Sequence, residues 1–281
     1  MPAHIVTLSC PDRHGIVASV AQGIVELDAN IVASAQFSDE TSGTFCMRTR
    51  IDAPVEEPAE VAAALAARAA TLGAAVAVRR VDRPVRTLVL VSKHDHCLLD
   101  LLYRWRAGEL AIDIVGVGSN HPDLGPLAER DGVGFHHLPV TAATRDEADA
   151  RLLGLVDELG VELVVLARYM QILSPTVCAA LPGRMINIHH SFLPSFRGAR
   201  PYHQAWARGV KVIGATAHYV TAELDEGPII DQDTARVTHA HGPDELRIVG
   251  RDLERLVLAR AVAAHAEGRV FLLGPRTVVL P

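Results

Sequence analysis

Apolar residues at the start of the chain switch repeatedly between the two-residue period of a strand and the 3.6-residue period of a helix. Ile5-Val6-Thr7-Leu8 is a short β-rich run, Pro11 to Gly15 a turn, and Ile16 to Leu27 carries apolar residues at helical spacing. Asn30–Phe37 and Gly43–Ile51 predict a strand pair, Glu57–Leu72 an Ala-rich helix stopped by Gly73, and Ala74–Val78 a closing strand. That order, βαββαβ, is the ferredoxin-like unit. Val81-Asp82-Arg83-Pro84 marks a boundary, because it is polar, contains proline and precedes a new apolar run, Thr87–Val91.

Beyond the boundary the pattern changes. Ile112–Val117 and Glu162–Leu166 are solid apolar runs, as strands covered on both faces of a parallel sheet require. Helical patterns at Cys97–Ala107, Arg145–Leu159 and Glu245–Ala266 separate or follow them. The expectation is two domains: residues 1–82, ferredoxin-like, and residues 85–281, a doubly wound, mostly parallel α/β fold that binds ligands at the carboxyl ends of its strands.

Composition narrows the classes. A net charge of -6 without a Lys/Arg cluster argues against nucleic acid as a partner. No apolar run approaches the ~18 residues of a membrane span, and the start of the chain has no signal-peptide pattern. Cys10, Cys46, Cys97 and Cys178 lie far apart without a CxxC pair, so the expectation is four reduced thiols in a cytoplasmic protein.

Two polar foci can carry chemistry. Asn187-Ile188-His189-His190-Ser191 follows an apolar stretch; strand alternation puts Asn187 and His189 on one face and turns His190 to the other, with Pro194, Arg197 and Gly198 ending the strand. Downstream, Gly214–Val220 reads as a strand leading into a turn that holds Asp225 and Glu226 beside Gly227-Pro228. An Asn, a His and an Asp suit attack on an amide-like carbonyl: Asn187 and His189 as oxyanion donors, His189 and Asp225 as proton carriers. The bland alternatives are a capped core strand and a solvated acidic turn. His94-x-His96, His136-His137 and His189-His190 match no zinc framework, so no metal and no cofactor is expected.

The run Asn187 to Ala199, with Gly214–Thr221 and Leu224–Ile230, resembles the formyltransferase family that uses 10-formyltetrahydrofolate. The resemblance covers roughly residues 85 to 281. It implies that Asn187, His189 and Asp225 are catalytic. It also implies that the folate is bound by Tyr169, Met170, Gln171, Leu173, Ala222, Glu223, Leu224, Glu226 and Gly227. The stretch Cys10 to Val17 looks like the opening of an ACT domain, and an ACT domain before a formyltransferase domain resembles the family's deformylase branch. Ser92 to Cys97 contains no glycine, a poor cradle for the phosphate of a ribonucleotide acceptor, with His94 and His96 read as a surface polar turn. Water is then the acceptor. The resemblance implies hydrolysis of 10-formyltetrahydrofolate, supplying formate for purine synthesis and balancing the one-carbon pool. It further implies a homo-oligomer, dimer or tetramer, with a possible amino-acid effector near Asp12–Gly15 and Asn30. The competing readings are a formyltransferase with an unrecognised acceptor and a non-catalytic folate or amino-acid sensor.

Overall fold

The computed structural model describes residues 1–141, 143–194 and 201–281, with the side chain of Pro201 excepted. Residues 195–199 of the formyltransferase-like run, among them the expected strand stop at Arg197 and Gly198, lie outside the described residues. The chain forms two compact units, residues 1–84 with 264–281, and residues 85–263.

The first unit opens with β1 (Ala3–Pro11), α1 (Ile16–Glu26), β2 (Asn30–Asp39), β3 (Thr44–Asp52), α2 (Pro58–Leu72) and β4 (Ala75–Arg80). The strands lie in the order β2-β3-β1-β4, every pair antiparallel. This is the expected βαββαβ unit. Alternation along β3 explains its packing. Phe45 and Met47 turn to the helix side and join Val20 and Ile24 of α1 and Val61 and Leu65 of α2, while Cys46 turns to the opposite face.

That opposite face is partly covered by the end of the same chain. β12 (Val270–Leu273) and β13 (Arg276–Val279) form an antiparallel hairpin, and Phe271 and Leu280 bury themselves against Cys46 and Ala35. Arg48 Nε donates to the carbonyl of Glu267 at 2.8 Å, and Arg276 pairs with Asp39 at 2.8 Å. The expected second domain, 85–281, is thus corrected at its end: residues 264–281 group with the first unit, because its sheet has an apolar second face to cover.

The second unit contains β5 (Val85–Val91), α3 (His96–Arg106), β6 (Ile112–Ser119), α4 (Gly125–Arg130), β7 (Phe135–His137), α5 (Arg145–Glu158), β8 (Leu163–Leu166), α6 (Pro175–Ala180), β9 (Met185–His189), α7 (Pro201–Ala207), β10 (Val212–Tyr219), β11 (Ile229–Arg236) and most of α8 (Pro243–Ala266). Its seven strands run in the order β11-β10-β9-β8-β5-β6-β7. The five from β9 to β7 are parallel; β10 and β11 are added antiparallel. The order reverses at β5: the chain builds outward through β6 and β7, then returns to β8 on the other side of β5. The carboxyl ends of strands beside such a reversal leave a crevice for ligand. No helix among the described residues is long and apolar enough to cross a membrane.

If the C-terminal hairpin is part of the first unit's core, Phe271→Ala destabilises that unit by about 3 kcal/mol, the usual cost of emptying a buried aromatic site. Denaturant unfolding of the full chain reads the shift; an unchanged midpoint would show that the hairpin is only draped on the surface.

Candidate active site

The ends of β8 and β9 and the loop after β10 enclose a cleft of about 250 Å³. β9 places Asn187 and His189 two residues apart at its carboxyl end, on one face as alternation requires. β10 runs alongside in a register that sets His218 opposite Asn187. The chain then doubles back, and the loop carries Asp225 over the end of β9. Asp225 takes a left-handed backbone, φ 56°, a conformation that Asp tolerates better than most side chains. Gly227 makes the return feasible: a Cβ there would sit 1.7 Å from the carbonyl oxygen of Tyr219.

Four polar side chains meet at the floor of the cleft. Asp225 Oδ2 lies 3.2 Å from His189 Nδ1, and Asp225 Oδ1 3.5 Å from Asn187 Nδ2 and 3.7 Å from His218 Nε2. Asn187 Nδ2 also lies 3.2 Å from His218 Nε2, and His218 Nδ1 lies 2.9 Å from the carbonyl oxygen of Tyr219. His189 Nε2 shares a 2.8 Å hydrogen bond with Ser191 Oγ. Burial pushes the Asp225 carboxyl up, but hydrogen bonds and charge from His189 and His218 outweigh it and hold the group well below the usual carboxylate range. An ionised Asp225 fixes a proton on His189 Nδ1, the ring nitrogen it faces.

The folate-binding residues expected from sequence divide. Tyr169, Met170, Gln171 and Leu173 after β8, and Ala222, Glu223 and Leu224 in the second loop, line the cleft. Glu226 and Gly227 do not; Gly227 serves the turn instead. The first loop is tied to the end of β5, where Ser92 Oγ accepts from the Met170 amide at 2.9 Å and donates to Asn120 Oδ1 at 2.6 Å.

Two histidine expectations need correction. His190 does not turn away: β9 ends at His189, so alternation lapses, and the His190 ring stacks on His189 with centroids 4.9 Å and planes 21° apart. His96 is not part of a surface turn. It is buried and bonded through Nε2 to Glu254 Oε2 at 2.8 Å, whereas His94 is exposed.

The sequence also hid Arg168, His218 and Glu254. Arg168 is the first charged residue after an unbroken apolar strand. Glu254 carries a clearer signal, an acid on the stripe of α8 that otherwise reads Leu246, Gly250, Val257, Leu258 and Ala261. His96, Cys97 and Glu254 have potential metal-ligand atoms within 4.8 Å of one another. Arg168 Nε lies 3.4 Å from the same Glu254 oxygen, and burial with the charge of Glu254 keeps the Cys97 thiol protonated. Such a set suits an ion pair better than a cation.

Residues 85–262 match the formyl transferase family model. The chain is 49% identical over 281 residues to a formyltetrahydrofolate deformylase of Corynebacterium sp. (strain P-1), covering 99% of this chain and 98% of that one. The crystal structure of a formyltetrahydrofolate deformylase from Burkholderia mallei superposes with a TM-score of 0.95 at 48% identity, covering 99% of both chains. Glycinamide ribonucleotide transformylase 1 from Symbiobacterium toebii is similar over 72% of this chain and 97% of its own, with a TM-score of 0.67 and 34% identity. The full-length match, which extends past the region shared with the transformylase, identifies the chain as a member of the formyl transferase family and, within it, of the formyltetrahydrofolate deformylases.

Proposed function

We propose that this chain hydrolyses 10-formyltetrahydrofolate to formate and tetrahydrofolate, with Asn187, His189 and Asp225 acting on the formyl group. The observation that carries the reading is the junction of these three side chains in one hydrogen-bonded set at the floor of a cleft. The cleft wall supports the substrate assignment. Tyr169, Met170, Leu173 and Leu224 offer apolar surface to a flat ring system, with polar groups of the two loops at its edges.

Water attacks the formyl carbon, and the carbonyl electron pair moves onto oxygen, where Asn187 Nδ2 and a His189 N–H donate to the growing charge. The proton released by water enters the Asp225–His189 pair. The bond from carbon to N10 breaks, and N10 leaves with a proton from His189, giving formate and tetrahydrofolate. An Asp225 carboxylate that resists protonation is suited to orienting His189 and balancing its positive form, rather than to holding a proton between steps. None of these steps calls for a metal or a cofactor.

Purified protein incubated with 10-formyltetrahydrofolate and no amine should release formate at a steady rate, before and after exhaustive chelation. Formate transfer only on addition of an amine would make the chain a transferase, and a loss restored by zinc would revive a metal site. Asn187→Ala and His189→Ala should each lower turnover by about 10²–10³ with the fold retained. Asp225→Asn, isosteric but unable to balance an imidazolium, should lower it by about 10² or more while folate binding persists. Normal turnover in any of the three removes that residue from the mechanism.

For the first unit the reading is an ACT-like domain that builds a homo-oligomer and binds a small amino acid. Edge strand β2 leaves Ile31, Val32 and Phe37 exposed, and Gly15, φ 87°, stands just before α1, with no side chain capping the helix's first amides. Cytoplasmic residence is supported by four free cysteines, each buried. Calorimetry and rate measurements with glycine and methionine first, then the other amino acids, should give heat and a change in turnover. Silence with all of them leaves this unit a structural role alone.

A further inference from the structure

The second unit buries a set of charges that the reaction described above does not use. Five separate chain segments contribute to it: Arg168 after β8, His190 after β9, His96 in the first turn of α3, Tyr202 on α7 and Glu254 on α8. Glu254 is 1% exposed, and three side chains address its carboxylate. His96 Nε2 lies 2.8 Å from its Oε2, Tyr202 Oη donates to Oε1 at 2.7 Å, and Arg168 Nε stands 3.4 Å from Oε2. Burial alone would raise this carboxyl, but His96, Arg168 and Tyr202 hold it down at about 2. Gly250, one turn before Glu254, lets Tyr202 lie against the helix: a Cβ there would meet the Tyr202 oxygen at 2.0 Å.

The guanidinium links this set to the cleft. Arg168 Nη1 donates to His190 Nδ1 at 2.6 Å. Arginine has no acceptor, so His190 must present Nδ1 as a lone pair and carry its proton on Nε2. Protonating Nδ1 would set two donors and two cations face to face. Burial, Arg168 and His189 together keep the His190 ring neutral, its pKa pulled down to about 4. That ring is the one stacked on His189. Arg168 itself adopts a left-handed backbone, φ 65°, which a long side chain holds only when its surroundings fix it.

We propose that Glu254 is a positioning residue for hydrolysis: it anchors and neutralises Arg168, and Arg168 in turn locks His190, in one tautomer, as the face on which His189 rests. Asp225 fixes one edge of the His189 ring and Ser191 the other, but neither stops it tilting about the line between them. The stacked His190 does. Without Glu254 the guanidinium is an uncompensated buried cation beside two imidazoles, and the stack loses its support. The proposal rests on the hydrolytic reading, and the wild-type rate tests that reading separately.

The test is steady-state formate release by Glu254→Gln, Arg168→Gln and the double variant, with thermal unfolding as the control for folding. Glu254→Gln should lower kcat about 10- to 100-fold, as expected when a catalytic ring is misplaced by a fraction of an ångström to an ångström. The KM for 10-formyltetrahydrofolate should stay within about twofold, because Glu254 does not line the cleft. The double variant should lose no more kcat than the worse single, because both residues act through one link. If Glu254→Gln does not fold, Tyr202→Phe and His96→Asn take its place. Each removes one bond to the carboxylate and should lower kcat by about 3- to 10-fold at unchanged KM. A kcat within about twofold of wild type in Glu254→Gln, or in both replacements, overturns the proposal, as does additivity in the double variant or a change confined to KM.

Discussion

A carboxylate has to be carried back over the end of a strand, and the chemistry at this cleft depends on that return. Asp225 belongs to a loop that leaves β10, yet its partners Asn187 and His189 stand at the end of β9. The turn succeeds because Gly227 passes against the carbonyl of Tyr219, where any side chain would collide, and because Asp225 itself accepts a left-handed backbone. Once there, the acid is half-enclosed. It stays ionised only because two imidazoles face it, and its charge then decides which nitrogen of His189 carries the proton. Geometry and protonation are therefore set by one contact.

The stacked histidines extend this logic to a second acid. Asp225 addresses the edge of His189, and Glu254, through Arg168, addresses His190. Each acid would be costly alone in its surroundings, and each is offset by donors drawn from distant parts of the chain. Arg168 and Asp225, two of the three non-glycine residues with positive φ among the described residues, both sit in these contacts. Backbone strain concentrated where polar groups must be held is a usual mark of a site whose geometry matters more than its local stability.

The first unit shows what an open sheet demands of the rest of a chain. With both helices on one face, β3 still turns Cys46 the other way, and a hairpin from the C-terminus covers it. The sequence carries that hairpin only as a short apolar run, Val270–Leu273, and Arg276–Val279 around a Gly-Pro turn. Nothing in its pattern says which sheet it covers, since a strand's period reports that one face is buried and not what buries it.

Read alone, the sequence determined the order of the elements in the first βαββαβ unit, several strands and helices of the second unit, the boundary near Pro84 and the pairing of Asn187 with His189 on one strand face, because periodicity and turn chemistry are local properties. The acid in the Gly227 turn was also visible, through its resemblance to a known family. It could not determine which side chains meet. His190 departs from strand alternation because the strand stops one residue short of it, and the end of a strand is decided by its neighbour's register. Glu254 lies 86 residues from Arg168, 158 from His96 and 52 from Tyr202, so only the folded sheet with α8 packed on it brings them together. The sequence named the candidate groups; the tertiary structure chose their partners and the charges around them, since electrostatic interactions depend on distance through space and not along the chain.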